Sequence, residues 1–501
     1  MTLVTSEPKR RGVFQDYCPA ERRRYVLIAA ILASAMGFID GTIVSIAIPA
    51  IRSSLDASLA DAQWINNAYM LALSALVLFG GATGDRYGLR LVFSAGIGIF
   101  VIASLACAIA PNAESLIAAR AAQGIAAAFM IPGSLAIISK TYPRRDRARA
   151  IGIWAAASAI TTAAGPILGG AVLSFGGSEA WRILFAINLP VGAIALGLML
   201  TRVPPDAPVG RQRLDVAGAV LVSLGLGLVA WALTGSGGEG SVPGLSHILG
   251  YGIAGALALG GFLYWQARSA YPMMPLRLFA SSAFSAANVV TFTLYFALAG
   301  ILFFLPMTLI AGWRLSEAQV GIMFVPMTAA IAALSGPVGS LAARTGPGPL
   351  IGAGSAIVAV AYGLLAAGMG WMTFWGHVLP SLSLMGLGMA LVVAPLSAAV
   401  MGAVDDGDQG VASGINNAVS RMAALVAVAG LGGVAALVHG MAGGVFPFGA
   451  EVPLVAAQAH LDGMNAGFSV LAWIAAALSA VSAVVAFRYL PAGPTDPQDS
   501  R

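Results

Sequence analysis

The chain has 501 residues, 58% of them hydrophobic and only 9% charged. A soluble domain needs more polar side chains than that to cover its surface, so a globular fold is excluded and the chain reads as a polytopic membrane protein. The net charge of +5 is small and sits in loops, where it reports topology rather than nucleic-acid binding.

Residues 1–24 form a polar, basic tail with Arg22-Arg23-Arg24 directly before an apolar run. That run, Tyr25 to Ile51, is too long for a signal-peptide core and reads as a retained first helix over about 25–50. Thirteen more apolar segments follow, at about 63–83, 91–110, 114–139, 148–175, 182–201, 215–235, 247–267, 283–311, 318–342, 349–369, 375–401, 411–438 and 464–488. Each is long enough to span a bilayer, and lipid offers no partner to open backbone groups, so all fourteen are expected as helices. The longest loop, about 439–463, is rich in Gly, Ala and Pro and too short for a domain. The expected layout is 6+2+6: a tail (1–24), a six-helix bundle (25–201), two inserted helices with linkers (202–282), a second bundle (283–488) and a tail (489–501).

Charge placement sets the orientation. With both termini inside, the inner tails and loops hold twenty-one basic residues, and the outer loops hold only Arg52, Arg182 and Arg314. That asymmetry places both termini in the cytoplasm. The acidic loop Asp405-Asp406-Gly407-Asp408 is the one inner loop without a basic residue. Cys18 and Cys107 fall on different sides of a membrane boundary, so no disulfide is expected.

Asp40 lies near the middle of the first apolar run, in Phe38-Ile39-Asp40-Gly41-Thr42. A carboxylate at that depth costs roughly 2.5–3.5 kcal/mol or more, which makes it a candidate for function. The other reading is a structural acid held by a hydroxyl such as Thr42 or hydrated in a cavity. Arg120, about six residues into the fourth segment, either needs a buried partner or snorkels to the interface.

An internal repeat links the halves: Gly81, Arg86 and Gly88 follow the second segment, and Gly339, Arg344 and Gly346 follow the tenth at the same offsets. Parallel repeats of this kind are a transporter architecture. In the fifth segment Gly152 and then Gly165-Pro166-Ile167-Leu168-Gly169-Gly170 combine a Pro kink with glycines that admit a close neighbour.

Taken together, these strings resemble the major facilitator superfamily, and with fourteen spans its drug:proton antiporters, over essentially the whole chain from about 25 to 490. The Gly81-Ala82-Thr83-Gly84-Asp85-Arg86-Tyr87-Gly88-Leu89-Arg90 loop is similar to the superfamily's loop signature, with Leu89 at a usually basic position. The resemblance implies that Gly81, Asp85, Arg86, Gly88 and Arg90 form a conformational latch, Asp85 meeting a helix of the other half that begins near Gly410. It also implies that Arg120 takes part in proton movement with Asp40. The fifth-segment string looks like the antiporter motif, with Thr161 replacing one glycine. Trp181-Arg182-Ile183-Leu184-Phe185-Ala186-Ile187-Asn188-Leu189-Pro190-Val191-Gly192, the Trp64, Tyr69 and Leu71 cluster, and Gly410-Val411-Ala412-Ser413-Gly414-Ile415-Asn416-Asn417 complete the likeness.

The only lysines, Lys9 and Lys140, are outside any phosphate-loop context, so no ATPase motif drives transport from this chain. The four histidines are dispersed without metal-site spacing, and no cofactor or metal is expected. The expectation is a bacterial cytoplasmic-membrane exporter, not an enzyme. Its partners are protons, the bilayer and hydrophobic or amphiphilic, often cationic, drugs, with no nucleic acid. Proton and substrate are expected to compete within one site region around Asp40. Phe38, Asn67, Asn288, Tyr295 and Asn417 are the candidate cavity residues. Rival readings are a dedicated exporter of one metabolite, antibiotic or siderophore, and a non-transporting receptor or scaffold.

Overall fold

The computed structural model describes residues 18–177, 179–206, 213–235, 244–405, 407–444, 446–450, 452 and 457–493. Among them, fourteen helices are long and apolar enough to cross a membrane. They are α1 (Ala20–Leu55), α2 (Leu59–Tyr87), α3 (Leu89–Ala108), α4 (Ala113–Thr141), α5 (Arg144–Gly176), α6 (Trp181–Arg202) and α7 (Val216–Thr234). The chain continues through α8 (Leu245–Arg268), α9 (Ser282–Gly312), α10 (Glu317–Thr345), α11 (Pro347–Ala367), α12 (Phe374–Gly402), α13 (Gln409–Met441) and α14 (Ala457–Tyr489). An even number of crossings brings both described ends to one face, called here the terminal face; the opposite one is the far face.

Local chemistry explains where the helices start and break. Ser58 and Asn112 each accept a hydrogen bond from the backbone three residues on and are answered by Asp61 and Ser115, closing capping boxes on α2 and α4. Within α6 the helix is interrupted after Ala186, and within α10 after Ile322. Both interruptions fall four residues before a proline, Pro190 and Pro326, which has no N–H to give to that carbonyl.

Twelve of the fourteen helices form two six-helix halves. α1 packs on α5, α2 on α4 and α3 on α6; in the second half α9 packs on α13, α10 on α12 and α11 on α14. The same pairs recur with an offset of eight, which the inserted α7 and α8 supply. These two pair with each other, and α7 lies against α2 and α13. Between the halves α2 meets α13, α5 meets α10, and α1 meets α9. Exchanging the halves swaps the first two contacts and preserves the third, as a two-fold relation between parallel repeats requires.

The repeated glycine strings occupy matching turns. Gly88 joins α2 to α3 with φ +97°, and Gly346 joins α10 to α11 with φ +81°. A Cβ at either would be strained and would meet the chain leaving its half: Asp206 beside Gly88, and Pro491 and Gly493 beside Gly346. In the first half the Asp206 carboxylate accepts hydrogen bonds from the Leu89 and Arg90 amides at 2.8 and 3.0 Å and pairs with Lys140 at 2.8 Å. In the second half the Pro491 carbonyl accepts from the Gly348 amide at 3.0 Å. Burial opposes the Asp206 charge, but the Lys140 hydrogen bond and the two amides outweigh it and hold its carboxyl below the ordinary carboxylate range.

The halves are sealed at the far face. A Cβ on Gly170 of α5 would overlap the Glu317 backbone at the start of α10, and the Gly321 position abuts the Pro166 carbonyl. The Ala318 amide donates to Ser174 at 3.0 Å. Arg52 at the end of α1 donates to the Phe448 carbonyl at 3.0 Å, and Gln63 of α2 donates to the Val428 carbonyl of α13.

Candidate functional site

Asp40 and Arg120 meet in the interior of the first half. Both side chains are 1% exposed, and the Arg120 Nη1 donates to an Asp40 carboxylate oxygen. Arg120 also donates to Gln123 at 2.8 Å and to the Ile65 carbonyl at 3.1 Å, which secures the guanidinium from three sides. Gln123 donates to the second Asp40 oxygen at 3.3 Å and to Ser104 at 2.8 Å, and Ser104 accepts from Asn188 at 3.3 Å. The network therefore draws on α1, α2, α3, α4 and α6. Above it, the Arg120 guanidinium lies 4.4 Å from the Tyr69 ring centre and 5.7 Å from that of Phe185. Thr42 takes no part: its hydroxyl donates to the Phe38 and Ile39 carbonyls of its own helix. Arg120 reaches inward to Asp40, so the snorkelling alternative does not describe it.

A cavity of about 420 Å³ lies between the halves and reaches all three inter-half seams. From α1 its wall takes Gly41, Thr42 and Ser45. At about 100° per residue these lie on the side of α1 turned away from Asp40. Asp40 and the cavity are thus back to back on one helix. The cavity extends to Ser397 and Ser413, exposed residues in the terminal-face portions of α12 and α13, while the far face is closed. A larger cleft of about 880 Å³ lies at the terminal face among α9 to α12, lined also by Arg277, Leu278 and Ser281 before α9, by Gln409 of α13 and by Pro491.

Of the expected cavity residues, Tyr295 and Asn417 line the wall; Phe38, Asn67 and Asn288 are not among the described lining. Phe38 is 6.5 Å from the Trp154 ring of α5, a packing contact between α1 and α5. Asn67 is fully buried inside the first half, and its neighbour Asn66 takes the cavity position, because one residue along a helix turns the side chain by about 100°. Asn288 stands behind the wall, accepting from Asn416, which does line it, at 3.3 Å.

The sequence reading missed Arg421. It lies twelve residues into α13, about 18 Å along the helix axis, and lines the cavity. Its Nε is buried without a hydrogen-bond partner, and among the described residues no acid pairs with it or lines the cavity. Tyr295 of α9 lines the same cavity. The expectation of often cationic substrates meets a wall whose described charge is positive.

The glycines of the fifth-segment string divide by depth. Gly165 of α5 faces Thr42 and Ile39, Gly169 faces Ile43, and Gly170 faces α10, each so closely that a Cβ would collide. Gly152, toward the terminal face, meets open space. Pro166 lies between these close approaches, its carbonyl at the Gly321 contact. The string expected as a loop is helical as far as Tyr87: in the last turns of α2, Gly81 packs near Pro132, and Arg86 lies against the Tyr87 ring at 5.3 Å. Arg90 donates to the Met199 and Leu200 carbonyls at the end of α6, at 3.2 and 2.7 Å. Asp85 is exposed and makes no hydrogen bond with the described residues of α13, which starts at Gln409.

The sequence profile of the Major Facilitator Superfamily matches residues 30–299. The chain is 33% identical to the Multidrug resistance protein Stp of Mycobacterium tuberculosis, over 82% of this chain and 75% of that one. The chain belongs to the Major Facilitator Superfamily. It is likewise 33% identical to the Tetracenomycin C resistance and export protein of Streptomyces glaucescens, over 84% of this chain and 77% of the relative. A bacterial homolog of the human lysosomal transporter Spinster, solved in an inward-facing and occupied conformation, superposes with a TM-score of 0.66 at 18% identity. That match covers 94% of this chain and 98% of the solved one. As a superfamily member with drug-resistance relatives, the protein is a multi-pass membrane transporter rather than an enzyme.

Proposed function

We propose that the protein is a proton-coupled antiporter that exports hydrophobic or amphiphilic small molecules by alternating access across a bacterial cytoplasmic membrane. The terminal face is taken as cytoplasmic, on the positive-inside asymmetry, so the described state is open inward. The observation that carries the reading is a buried acid, Asp40, held by Arg120 on the reverse side of the helix that forms the cavity wall. An intramembrane ion pair is costly to keep and is a usual mark of a proton relay.

In this reading the inward state loads substrate while Asp40 is paired. When the cavity turns outward, water reaches Asp40, a proton neutralises it, and Arg120 loses its counter-ion. α1 transmits that change, because Thr42 and Ile43 are the groups against which Gly165 and Gly169 of α5 are seated. α5 in turn carries the far-face seal to α10. The Asp85 carboxylate in the last turn of α2 serves as the latch of the outward state, a role suited to an acid that is exposed in the inward one. The relatives' names, multidrug resistance and tetracenomycin C export, support drug-like cargo. No cofactor is required, since the proton gradient supplies the work.

The test is transport in proteoliposomes of the purified full-length protein with an imposed pH gradient. Gradient-driven substrate movement is expected in the wild type and is expected to vanish in Asp40→Asn, while substrate exchange without a gradient persists. Undiminished gradient-driven transport in that variant would refute the assignment of Asp40.

A further inference from the structure

We infer that the cavity selects an amphiphile carrying a single negative charge, with Arg421 as the counter-ion that the protein leaves unfilled. This rests on the cavity being the translocation site, as proposed above, and names the substrate class that site takes.

A guanidinium stays protonated in any protein environment. Placed at membrane depth it needs a counter-charge, water or a hydrogen-bonding cage. Arg120 shows how this protein satisfies such a group when the purpose is internal: a carboxylate, an amide side chain and a backbone carbonyl all converge on it. Arg421 has none of these among the described residues, and its Nε is buried without a partner. It opens instead on a space of about 420 Å³, within the range of drug-sized sites.

The rest of the wall fits the same ligand. Asn417 and Ser420 lie beside Arg421 on the cavity face of α13, and Tyr295 of α9 lines the same space. The Asn417 amide and the Tyr295 hydroxyl are neutral groups suited to an anionic oxygen, whereas the Ser420 hydroxyl donates to the Asn417 carbonyl at 2.8 Å. Phe303, Phe324 and Met327 supply an apolar surface on the other side. One anionic group seated at Arg421 and an apolar body against those side chains satisfies both ends. A cation meets like charge with no acid on the described wall to offset it, since Asp40 is occupied by Arg120 on the far side of α1.

The experiment is equilibrium binding, by fluorescence anisotropy, of two dyes that share one ester-bearing xanthene frame and differ in charge. Fluorescein methyl ester is an anion at mildly alkaline pH, and rhodamine 123 is a cation. Purified full-length wild type, Arg421→Gln and Arg421→Lys are compared in detergent without any gradient. The wild type is expected to prefer the anion by about tenfold or more, equivalent to about 1.4 kcal/mol. Arg421→Gln is expected to lose that preference by weakening anion binding while cation binding is kept or improved, and Arg421→Lys to retain part of it. Retained cation binding also shows that the variant is folded. Equal affinity for the two dyes, preference for the cation, binding of neither, or an unchanged anion affinity in Arg421→Gln each overturns the inference. Because no gradient is used, this outcome is independent of whether Asp40 couples transport to protons.

Discussion

Arg120 and Arg421 both lie deep within membrane-spanning helices, and they are treated in opposite ways. Arg120 is enclosed by one half, paired with Asp40 and bonded to Gln123 and the Ile65 carbonyl. Arg421 stands on the wall between the halves with its Nε unsatisfied. The contrast assigns the first to the internal machinery and the second to whatever enters the cavity. It also separates two tasks that one acid was expected to share. The Asp40–Arg120 pair is enclosed by the first half alone, and the cavity is built from both.

The strongest way to break this contrast is to leave Asp40 buried without its partner. Arg120→Ala is expected to cost about 3–5 kcal/mol of stability as well as gradient-driven transport. Arg120→Ala combined with Asp40→Asn is expected to recover much of that stability and none of the coupling. Thermal unfolding in detergent reads the first quantity, and proteoliposome flux reads the second. Arg421→Gln is the control, with stability expected to stay within about 0.5 kcal/mol, because no protein partner is stranded.

The two ends of α5 offer a second comparison. Gly170→Val is expected to wedge α5 from α10 and move the population toward the state open at the far face. Gly152→Ala is expected to change nothing, since its Cβ enters open space. Distances between spin labels at Ser174 and Ala318 measure the shift; unchanged distances in Gly170→Val would contradict the seal described here.

A smaller effect is expected at the Gly88 turn. The Asp206 carboxyl is held below its ordinary range in the folded state. Its contribution is therefore full above the unfolded value of about 4 and disappears as pH falls through the lower folded value. Asp206→Asn is expected to remove about 1.5–3 kcal/mol at neutral pH and to flatten the acid limb of the stability profile. An unaltered acid limb would show that Lys140 and the two amides do not depend on that charge.

Charge movement sharpens the account of the cargo. Against one proton, a neutral substrate moves one net charge and a monoanion moves two, equivalent to about 2.3 and about 4.6 kcal/mol per 100 mV. A monocation moves none. Export of the anionic dye is thus expected to respond to membrane potential about twice as steeply as export of a neutral one, as read from flux at clamped potassium diffusion potentials.

Much of this was legible in the sequence. Length and apolar content located all fourteen spans, and the spacing shared by Gly88 and Gly346 marked two equivalent turns. The prolines at 190 and 326 also explain where α6 and α10 break, although the apolar runs alone pass through both points unmarked. Rotation was harder to read. Asn66 and Asn67 are chemically identical, and only the packing of α2 decides which of them faces the cavity. Asp40 was found because an acid in an apolar run is conspicuous, but its direction depended on Gln123 and Ser104, which carry no charge to mark them. Arg421 had a signal that was passed over. Ser413, Asn417, Ser420 and Ala424 recur at helical spacing around it, drawing a small and polar stripe along α13.

The central claim is that proton site and substrate site are distinct. It is tested most directly by measuring substrate affinity and proton-driven flux on the same preparations of wild type, Asp40→Asn and Arg421→Gln. The account predicts that Asp40→Asn loses proton drive and keeps wild-type affinity, whereas Arg421→Gln loses affinity for the anionic substrate and still couples whatever it binds to protons. A parallel loss of affinity and coupling in Asp40→Asn would mean that both ligands meet at Asp40, and would contradict it.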